Sequence, residues 1–468
     1  MLLNVHKKRL YGFSSVSYNK EDVQRVSLRR GSAMDFLLAV FLFIAGLGLA
    51  LFKGWALAWP LLGGIACFAT VALRRGLPLR EVFRAMLQGT ARVSVVLRLL
   101  VLVGLLTGSW RACGTVAYFV FHGVSVLQPH SFVLFAFLLS SAASFILGSS
   151  FGATGTIGVV LMTLAHKGGV PPEIAAGAIL SGIYFGDRSS PVSSCAALVA
   201  ALANTPLHDH VRAMLRGALL PFLLAGALYG LVSLFWPLGG SVSHSLSDLP
   251  QLFNLSWPAA APAVLVLFLA LMRVSVPLSI SLSTVMAGVL AMTIQGLSSG
   301  ELIRALILGY HPKVMEGTAI LMAGGGLISM SKALITVSLA SGLSGILKTA
   351  GLLRELQGFL LRVSKRLSLF QTTLATSFFA SIFSGSQTLT IVLTHQLVGP
   401  LYEEPRRLAL DLSDAAALLP DLIPWNLALM GPLAMLSVDA KAVLWLYFPT
   451  LLILVRLLGD RRKKGARV

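Results

Sequence analysis

Residues 181 to 200 read SGIYFGDRSSPVSSCAALVA and place a carboxylate, Asp187, directly after Gly186 and shortly before Pro191. The sequence on both sides is apolar. A charged side chain at membrane depth costs about 3 kcal/mol on insertion scales, so such residues usually have a function. Glycine and proline beside it interrupt regular helices. The stretch therefore predicts a broken helix that carries a functional carboxylate.

The composition is that of a membrane protein. Of the 468 residues, 56% are hydrophobic and only 12% are charged, whereas roughly 25% of residues are charged in an ordinary soluble domain. Apolar runs such as 34–52 and 55–73 approach the ~20 residues that a helix needs to cross a bilayer. We expect an all-α polytopic membrane protein with about ten transmembrane helices. The first run lies too deep for a cleavable signal peptide and is expected to remain as the first span.

Positive charge is concentrated in short blocks between the apolar runs. The net charge of +19 could suggest a nucleic-acid partner, but the blocks follow the positive-inside pattern of a bacterial-type inner (plasma) membrane protein. Both termini are then cytoplasmic, whereas the polar segment 239–257, which has no Lys or Arg, is extracytoplasmic. The predicted cytoplasmic blocks hold 22 of the 37 Lys and Arg residues: 1–33, 74–92, 348–366 and 461–468.

This topology divides the chain into two nearly equal membrane halves. With both termini on one side and an extracytoplasmic linker, the halves run in opposite directions, which is the arrangement of inverted-topology repeats. The predicted parts are a basic N-terminal segment, a first repeat, a linker loop, a second repeat and a basic tail: 1–33, 34–237, 238–257, 258–458 and 459–468.

Each half contains a Gly/Ser/Thr-rich stretch followed by an Asp/Pro segment. In the first half LGSSFGATGTIGVVLM (147–162) precedes residues 186–191, and in the second FSGSQTLTIVL (383–393) precedes SDAAALLPDLIPWN (413–426). Small residues also serve close helix packing, but paired interrupted segments point to a transporter's central site built from broken or re-entrant helices. Three successive glycines, 324–326, predict a further interruption.

Three acids fall inside the apolar segments and are predicted to bind ions or protons: Asp187, Asp414 and Asp421. A carboxylate kept from water binds either a proton or a hard cation, and this competition is the chemistry of a cation/proton exchanger. Hydroxyl, amide and freed backbone oxygens would complete the coordination of Na⁺. The lining residues suited by type are Thr154, Thr156, Ser189, Ser190, Ser193, Gln387, Thr388 and Asn426.

These segments resemble the NhaC family of sodium/proton antiporters, in the ion-transporter superfamily. FGDRSSPVSS (185–194) is similar to the family's FGDK-M-SP-L-SD-TT segment, and SDAAALLPDLIPWN to its ED-x-G-T-x-x-SPLIPWN segment. The resemblance implies Na⁺/H⁺ exchange without a cofactor, and a homodimer. It places Asp187 and Asp414 on the family's carboxylates and Thr154, Thr156, Gln387 and Asn426 on its polar lining. The chain departs from the pattern at Ser194 and Ser413, where the family has acids, and at Asp421, where it has proline.

Basic residues near the predicted site leave a second possibility open. Lys332 follows the glycine triplet, and Arg188 follows Asp187; either is a candidate charge partner for the carboxylates. Lys332 would also suit the carboxylate of an organic substrate, and the resemblance extends to exchangers of malate and lactate. A proton- or sodium-coupled exchanger of small organic anions is therefore the alternative.

Other classes fit the sequence less well. A GxGD protease needs glycine at the position of Tyr184, and GLSG at 342–345 with His395 is a short rhomboid-like pattern that arises easily by chance. The absence of HExxH, P-loop and paired metal-ligand motifs argues against a metalloenzyme or an ATP-driven pump. A passive channel stays open, since broken polar helices also line selectivity filters.

Overall fold

Helices form almost all of the regular structure in the computed structural model, which describes residues 33–53, 55–126, 129–238, 249–272, 274–312, 322–350 and 367–465. Within these ranges the only extended pairing is an isolated antiparallel bridge between Tyr310 and Gly324. The prediction of an all-α protein is confirmed. The predicted basic N-terminal segment and much of the predicted linker loop lie outside the described residues.

The helices of the first half are interrupted several times, and a π-helical turn, Thr154–Gly158, joins α7 to α8. Their bounds are α1 (Ala33–Lys53), α2 (Ala58–Arg74), α3 (Leu79–Arg92), α4 (Ser94–Ala112), α5 (Thr115–Val126), α6 (Phe132–Leu147), α7 (Ser150–Ala153), α8 (Val159–Lys167), α9 (Pro172–Ser189), α10 (Ser194–Leu202) and α11 (Leu207–Phe235).

The second half includes a 3₁₀ turn, Leu419–Leu422, that becomes important at the candidate site. Its helices are α12 (Leu249–Leu252), α13 (Ala261–Leu271), α14 (Val276–Thr293), α15 (Ser299–Leu308), α16 (Gly326–Ser329), α17 (Ser331–Thr349), α18 (Leu369–Ser384), α19 (Gln387–Val398), α20 (Pro405–Asp414), α21 (Leu427–Met435) and α22 (Tyr447–Gly465).

Few of the described helices are long enough to cross a membrane unaided. Only α4, α11 and α14 are both long and apolar enough, and the segment 405–422 with α21 makes a fourth candidate that is bent by 50° at a short break. Six shorter apolar segments of 10–17 residues accompany them. Because a straight crossing takes about 20 residues, interrupted segments fall below that length. The expectation of about ten crossings, which counts interrupted segments, stays a prediction.

The same helix–turn–helix occurs once in each half. Helices α6 and α18 have 16 residues each, and each ends at a left-handed glycine, Gly148 (φ 61°) or Gly385 (φ 67°). Glycine is preferred there because a Cβ is strained in that conformation. The next residue, Ser149 or Ser386, caps the following helix by accepting a hydrogen bond from a backbone N–H. Corresponding residues are 237 positions apart, so the predicted match between the two Gly/Ser-rich stretches holds for their local structure.

Glycines also bring helix backbones together at two equivalent crossings. At the first, a Cβ on Gly345 of α17 would lie 2.1 Å from the carbonyl oxygen of Ala85 and 3.1 Å from Cα of Gly89, both on α3. At the second, a Cβ on Gly108 of α4 would lie 3.0 Å from the amide nitrogen of Gly326, where α16 begins. Gly108 and Gly345 are again 237 positions apart, as are Gly89 and Gly326. The two crossings therefore use corresponding positions of the two halves.

The predicted helix interruptions are present. The chain leaves α9 through Pro191 and enters α10 at Ser193, whose hydroxyl accepts from backbone N–H groups of the first turn. In the second half Pro424 precedes Asn426, whose side chain caps α21 in the same way. The three glycines at 324–326 all have positive φ angles, between 74° and 111°, and a helix begins only at the third of them.

Close packing of α9 on α6 fixes the position of Asp187. A Cβ on Gly186 would lie 2.4 Å from the backbone nitrogen of Phe145, and one on Gly182 would lie 2.3 Å from the carbonyl oxygen of Phe137. Neither contact leaves room for a larger residue. The glycine that precedes Asp187 thus lets the two helix backbones touch one turn before α9 breaks.

Candidate functional site

Asp187 lies at the meeting point of two helix breaks. It occupies the last turn of α9 and is buried. Ser193, the cap of α10, donates a hydrogen bond of 3.2 Å from its hydroxyl to Oδ1 of Asp187. Ser150, the first residue of α7, faces the carboxylate with its hydroxyl and its backbone N–H. The carboxylate is therefore surrounded by neutral donors from the starts of two short helices.

Asp421 is the second carboxylate of this site. It lies in the 3₁₀ turn before the break that leads to α21, and only 2% of its surface is exposed. Asp187 and Asp421 interact electrostatically with one another. Both carboxylates also interact electrostatically with the side chains of Tyr184 and Cys195. Within the described residues no Lys, Arg or His nitrogen lies within 4 Å of either carboxylate. Two like charges in a dry setting repel, and a bound proton or cation relieves the repulsion.

Asp414, in contrast, is bound by two arginines. Arg188 of α9 forms a buried ion pair with its Oδ1, and Nε of Arg456 on α22 lies 2.7 Å from its Oδ2. Arg188 also donates to the hydroxyl of Ser189 and to the backbone oxygen of Met214. The carboxylate that the family resemblance made a cation ligand is thus already paired with guanidinium groups in this conformation.

Arg456 extends this ion pair into a larger network of charged residues, which was not predicted from the sequence. It also pairs with Asp411, which accepts a hydrogen bond of 2.8 Å from the hydroxyl of Tyr402. Arg407 lies 3.9 Å from Asp411 and 4.0 Å from Asp460. Neither Asp411 nor Asp460 was among the three acids predicted to bind ions. The available signals were the i, i+3 spacing of Asp411 and Asp414, which puts both on one helix face, and the arginine that follows the apolar first half of the last helix.

Ser413 connects this network to α11. Its hydroxyl lies 3.0 Å from Nε2 of His210, and both residues are buried. Since the resembling family has an acid at position 413, the serine replaces a charge with a neutral hydrogen bond to histidine.

The predicted lining residues of the first half lie close to Asp187 but have separate roles. Thr154 and Thr156 donate to backbone oxygens one turn earlier in their own helix, and Thr156 also faces a cavity between the halves. Ser189 accepts from Arg188, and Ser190 donates to the carbonyl oxygen of Phe145. Of the predicted hydroxyls, only Ser193 hydrogen-bonds the carboxylate itself.

The predicted lining residues of the second half, and Lys332, either contact backbone groups or are exposed. Gln387 donates to the backbone oxygen of Ala417, 2.7 Å away, and Asn426 is a helix cap. Thr388 is exposed, because the first turn of α19 directs it away from the packed interior. Lys332 is also exposed, at the start of α17, and has no carboxylate within 4 Å among the described residues. Arg188 does pair with a carboxylate, but with Asp414 instead of the adjacent Asp187.

Comparison with known proteins identifies the family. Residues 182–458 match the model of the Na⁺/H⁺ antiporter family, and residues 11–232 match that of the C4-dicarboxylate anaerobic carrier. The first match covers more than half of the chain and contains all three predicted carboxylates. The chain therefore belongs to the Na⁺/H⁺ antiporter family, and the predicted NhaC-type resemblance is confirmed.

Curated relatives agree with this assignment over most of their length. The Na⁺/H⁺ antiporter NhaC of Bacillus subtilis is 28% identical over 79% of this chain and 84% of its own, and NhaC of Alkalihalophilus pseudofirmus is 29% identical over 70% and 73%. The malate-2H⁺/Na⁺-lactate antiporter of Bacillus subtilis is 27% identical over 86% of both chains.

Proposed function

We propose that this protein is a secondary transporter that exchanges Na⁺ for H⁺ across the membrane, with exchange at Asp187 and Asp421. One observation carries the proposal: two buried carboxylates interact with one another at the ends of broken helices, without a basic side chain beside them among the described residues. Protons and Na⁺ compete for such a pair, because either one neutralises the repulsion and both cannot bind at once.

The surroundings of Asp187 suit a hard cation. Na⁺ requires oxygen ligands, and the hydroxyls of Ser150 and Ser193 already face Asp187. Backbone carbonyls released at the helix breaks are further oxygen donors of the kind that transporters use for Na⁺. The exchange then needs no resident cofactor and no covalent chemistry, as in a transporter and not an enzyme.

Asp414 has a different part in this proposal. With Arg188 and Arg456 beside it, its negative charge is compensated, so it has little attraction left for Na⁺. A buried ion pair of this kind fixes the relative positions of α9, α20 and α22 more than it stabilises them. We assign Asp414 to positioning the helices that carry the exchange pair.

The two halves are proposed to be inverted-topology repeats, with bounds 34–237 and 258–458. The matched glycine turns and the matched glycine crossings, all 237 positions apart, support a duplicated unit. The basic segments support opposite orientations with about ten crossings and both termini in the cytoplasm of a bacterial-type cell. A homodimer in the inner membrane completes the proposal.

Proton flux in proteoliposomes tests the exchange. Purified protein is reconstituted with a pH-sensitive dye inside, and Na⁺, Li⁺ or K⁺ is added outside. We expect Na⁺ to drive proton movement in the wild type and in Asp439→Asn, a control that removes an exposed acid. Asp187→Asn and Asp421→Asn should each abolish it. A correctly reconstituted wild type that gives no response to Na⁺ would overturn the proposal.

A second candidate, exchange of a small organic anion, is favoured by one cavity. A space of about 340 Å³ adjoins the turn at Gly148, and hydroxyls from both halves line it: Ser149, Thr156, Ser194, Ser275 and Ser279. Ser279 is buried, and its hydroxyl has no partner among the described residues. The cavity is larger than Na⁺ requires, and its remaining wall is apolar, which suits a short carbon chain with a polar end.

The same liposomes separate the two candidates. If an organic anion is exchanged, lactate or malate should raise the Na⁺-driven proton flux, and Ser279→Ala should weaken that increase without changing the flux with Na⁺ alone. If neither anion changes the flux, the protein exchanges Na⁺ for H⁺ without lactate or malate, and the second candidate is wrong for these two anions.

A further inference from the structure

A basic pocket lies on α11, away from the two exchange carboxylates. It has a volume of about 260 Å³, and the residues that line it include three arginines: Arg212, Arg216 and Arg406. The single acid in the lining, Asp209, lies 3.2 Å from Arg406. Among the described residues no carboxylate lies within 4 Å of Arg212 or Arg216. The pocket therefore carries an excess of positive charge.

The helix that forms the pocket continues directly into an apolar face. Arg212, Arg216, Leu219 and Leu223 are spaced by four, three and four residues, so they form one strip along α11. The two arginines are exposed, and the two leucines are 60% and 59% exposed. The helix α11 is long and apolar enough to cross a membrane. Along it this strip changes from guanidinium groups to hydrocarbon, which is the order of groups in a phospholipid from headgroup to acyl chain.

The floor of the pocket reaches the ion-pair network. His210 lines the pocket, is 3% exposed and contacts Ser413, which precedes Asp414 in the chain. Arg188 and Asp414 are the charged groups that His210 faces from the neighbouring helices. A ligand in the pocket would therefore hold α11 and α20 together at the level of the network.

We propose that this pocket binds the phosphate group of an anionic phospholipid. Arg212, Arg216 and Arg406 bind the phosphate oxygens, and an acyl chain lies along Leu219 and Leu223. Guanidinium groups are suited to phosphate because they present paired N–H donors, and basic pockets between transmembrane helices bind lipid headgroups. The strip of exposed leucine selects a lipid over a free phosphate ion. The assignment does not depend on the solute that the protein transports.

Thermal unfolding in detergent tests the lipid site. Phosphatidylglycerol or phosphatidylcholine is added to the wild type, to the double variant Arg212→Gln/Arg216→Gln, and to the control Arg80→Gln/Arg84→Gln, which removes two exposed arginines of the same spacing from α3. We expect phosphatidylglycerol to raise the melting temperature of the wild type and the control. Loss of two arginines should weaken its binding on the order of tenfold or more, so the double variant should respond no more than it does to phosphatidylcholine.

A lysine double variant and inorganic phosphate complete the experiment. Arg212→Lys/Arg216→Lys keeps the charge and should keep part of the response, which provides a readout if the glutamine variant does not fold. An equal response to phosphatidylglycerol in the wild type and the folded double variant would overturn the site. If inorganic phosphate alone reproduces the shift, the pocket binds free anions and the lipid assignment is wrong.

Discussion

Arg188 forms a buried ion pair with Asp414, 226 residues further along the chain. Its neighbour Asp187 instead interacts electrostatically with Asp421. Two adjacent residues at the end of α9 thus belong to two different clusters. In one, each carboxylate has a cationic partner, and in the other, neither carboxylate has a cationic partner within 4 Å among the described residues. The first is suited to holding helices in place and the second to exchanging cations.

Asp414→Asn and Asp421→Asn should therefore fail in different ways. Asp421→Asn removes one of the two exchange carboxylates, so Na⁺-driven proton flux should be lost, as it should be in Asp187→Asn. Asp414→Asn leaves the buried Arg188 without its carboxylate partner and Arg456 with Asp411 alone, so the yield of folded protein should fall while the KM of the remaining protein stays near that of the wild type. Sodium titration of proton flux, normalised to reconstituted protein, checks both. Loss of Na⁺-driven flux per folded protein in both variants would place Asp414 among the ion ligands.

Arg456→Met should destabilise the protein strongly. Arg456 pairs with both Asp411 and Asp414, and each carboxylate is 1% exposed. Removing one partner of a buried ion pair typically costs about 3–5 kcal/mol because the other charge is left buried. The matched control is Arg406→Met, whose pair with Asp209 is largely exposed and is worth about 0–1 kcal/mol. Unfolding in denaturant is the measurement, and similar stabilities of the two variants would contradict the network's structural role.

Gly345→Ala and Gly108→Ala should both impair folding, since they occupy corresponding helix crossings. A Cβ on Gly345 would lie 2.1 Å from the backbone oxygen of Ala85, and one on Gly108 would lie 2.5 Å from that of Ala305 on α15 as well as 3.0 Å from Gly326 on α16. Backbone atoms cannot move aside as the tip of a side chain can. Gly217→Ala in α11 is the control, because nothing lies within 4 Å of its Cβ. Replacing glycine by alanine in a helix with free space stabilises by about 1 kcal/mol. Thermal stability in detergent distinguishes them, and a neutral effect at both crossings would argue against the close approach.

Ser193→Ala should affect exchange and helix capping together. Its hydroxyl donates to Asp187 and accepts from two N–H groups at the start of α10. Loss of the cap costs about 1 kcal/mol, and loss of the donor weakens Na⁺ coordination at Asp187. Ser386→Ala, a cap of the same kind in α19 without a carboxylate partner, should lower stability equally while leaving the KM for Na⁺ unchanged. Equal KM values for both variants would remove Ser193 from the ion site.

The positions of the helix interruptions could be predicted from the sequence more accurately than the partners of the charged side chains. Glycine and proline act locally, so the interruptions after Asp187, at 324–326 and before Asn426 followed from the residues themselves. Partner choice depends on direction: successive helix residues point about 100° apart, and the sequence does not specify which helix faces each one. Arg188 was therefore a candidate partner for its neighbour, although it reaches Asp414.

The partners of Arg456 could not be predicted from the sequence for the same reason. An arginine near the end of an apolar helix ordinarily extends towards the interface, and only the packing of α20 against α22 reveals that it lies between Asp411 and Asp414. The exposed positions of Thr388 and Lys332 were likewise set by helix orientation, which residue type does not determine.

Proton release on sodium binding tests the central claim most directly. Na⁺ is added to purified protein in weak buffer, and the pH is followed with a dye. If Asp187 and Asp421 form the exchange site, the wild type and Asp439→Asn should release protons as Na⁺ binds, whereas Asp187→Asn and Asp421→Asn should release none. Undiminished proton release from both asparagine variants would contradict the assignment of the exchange to this pair.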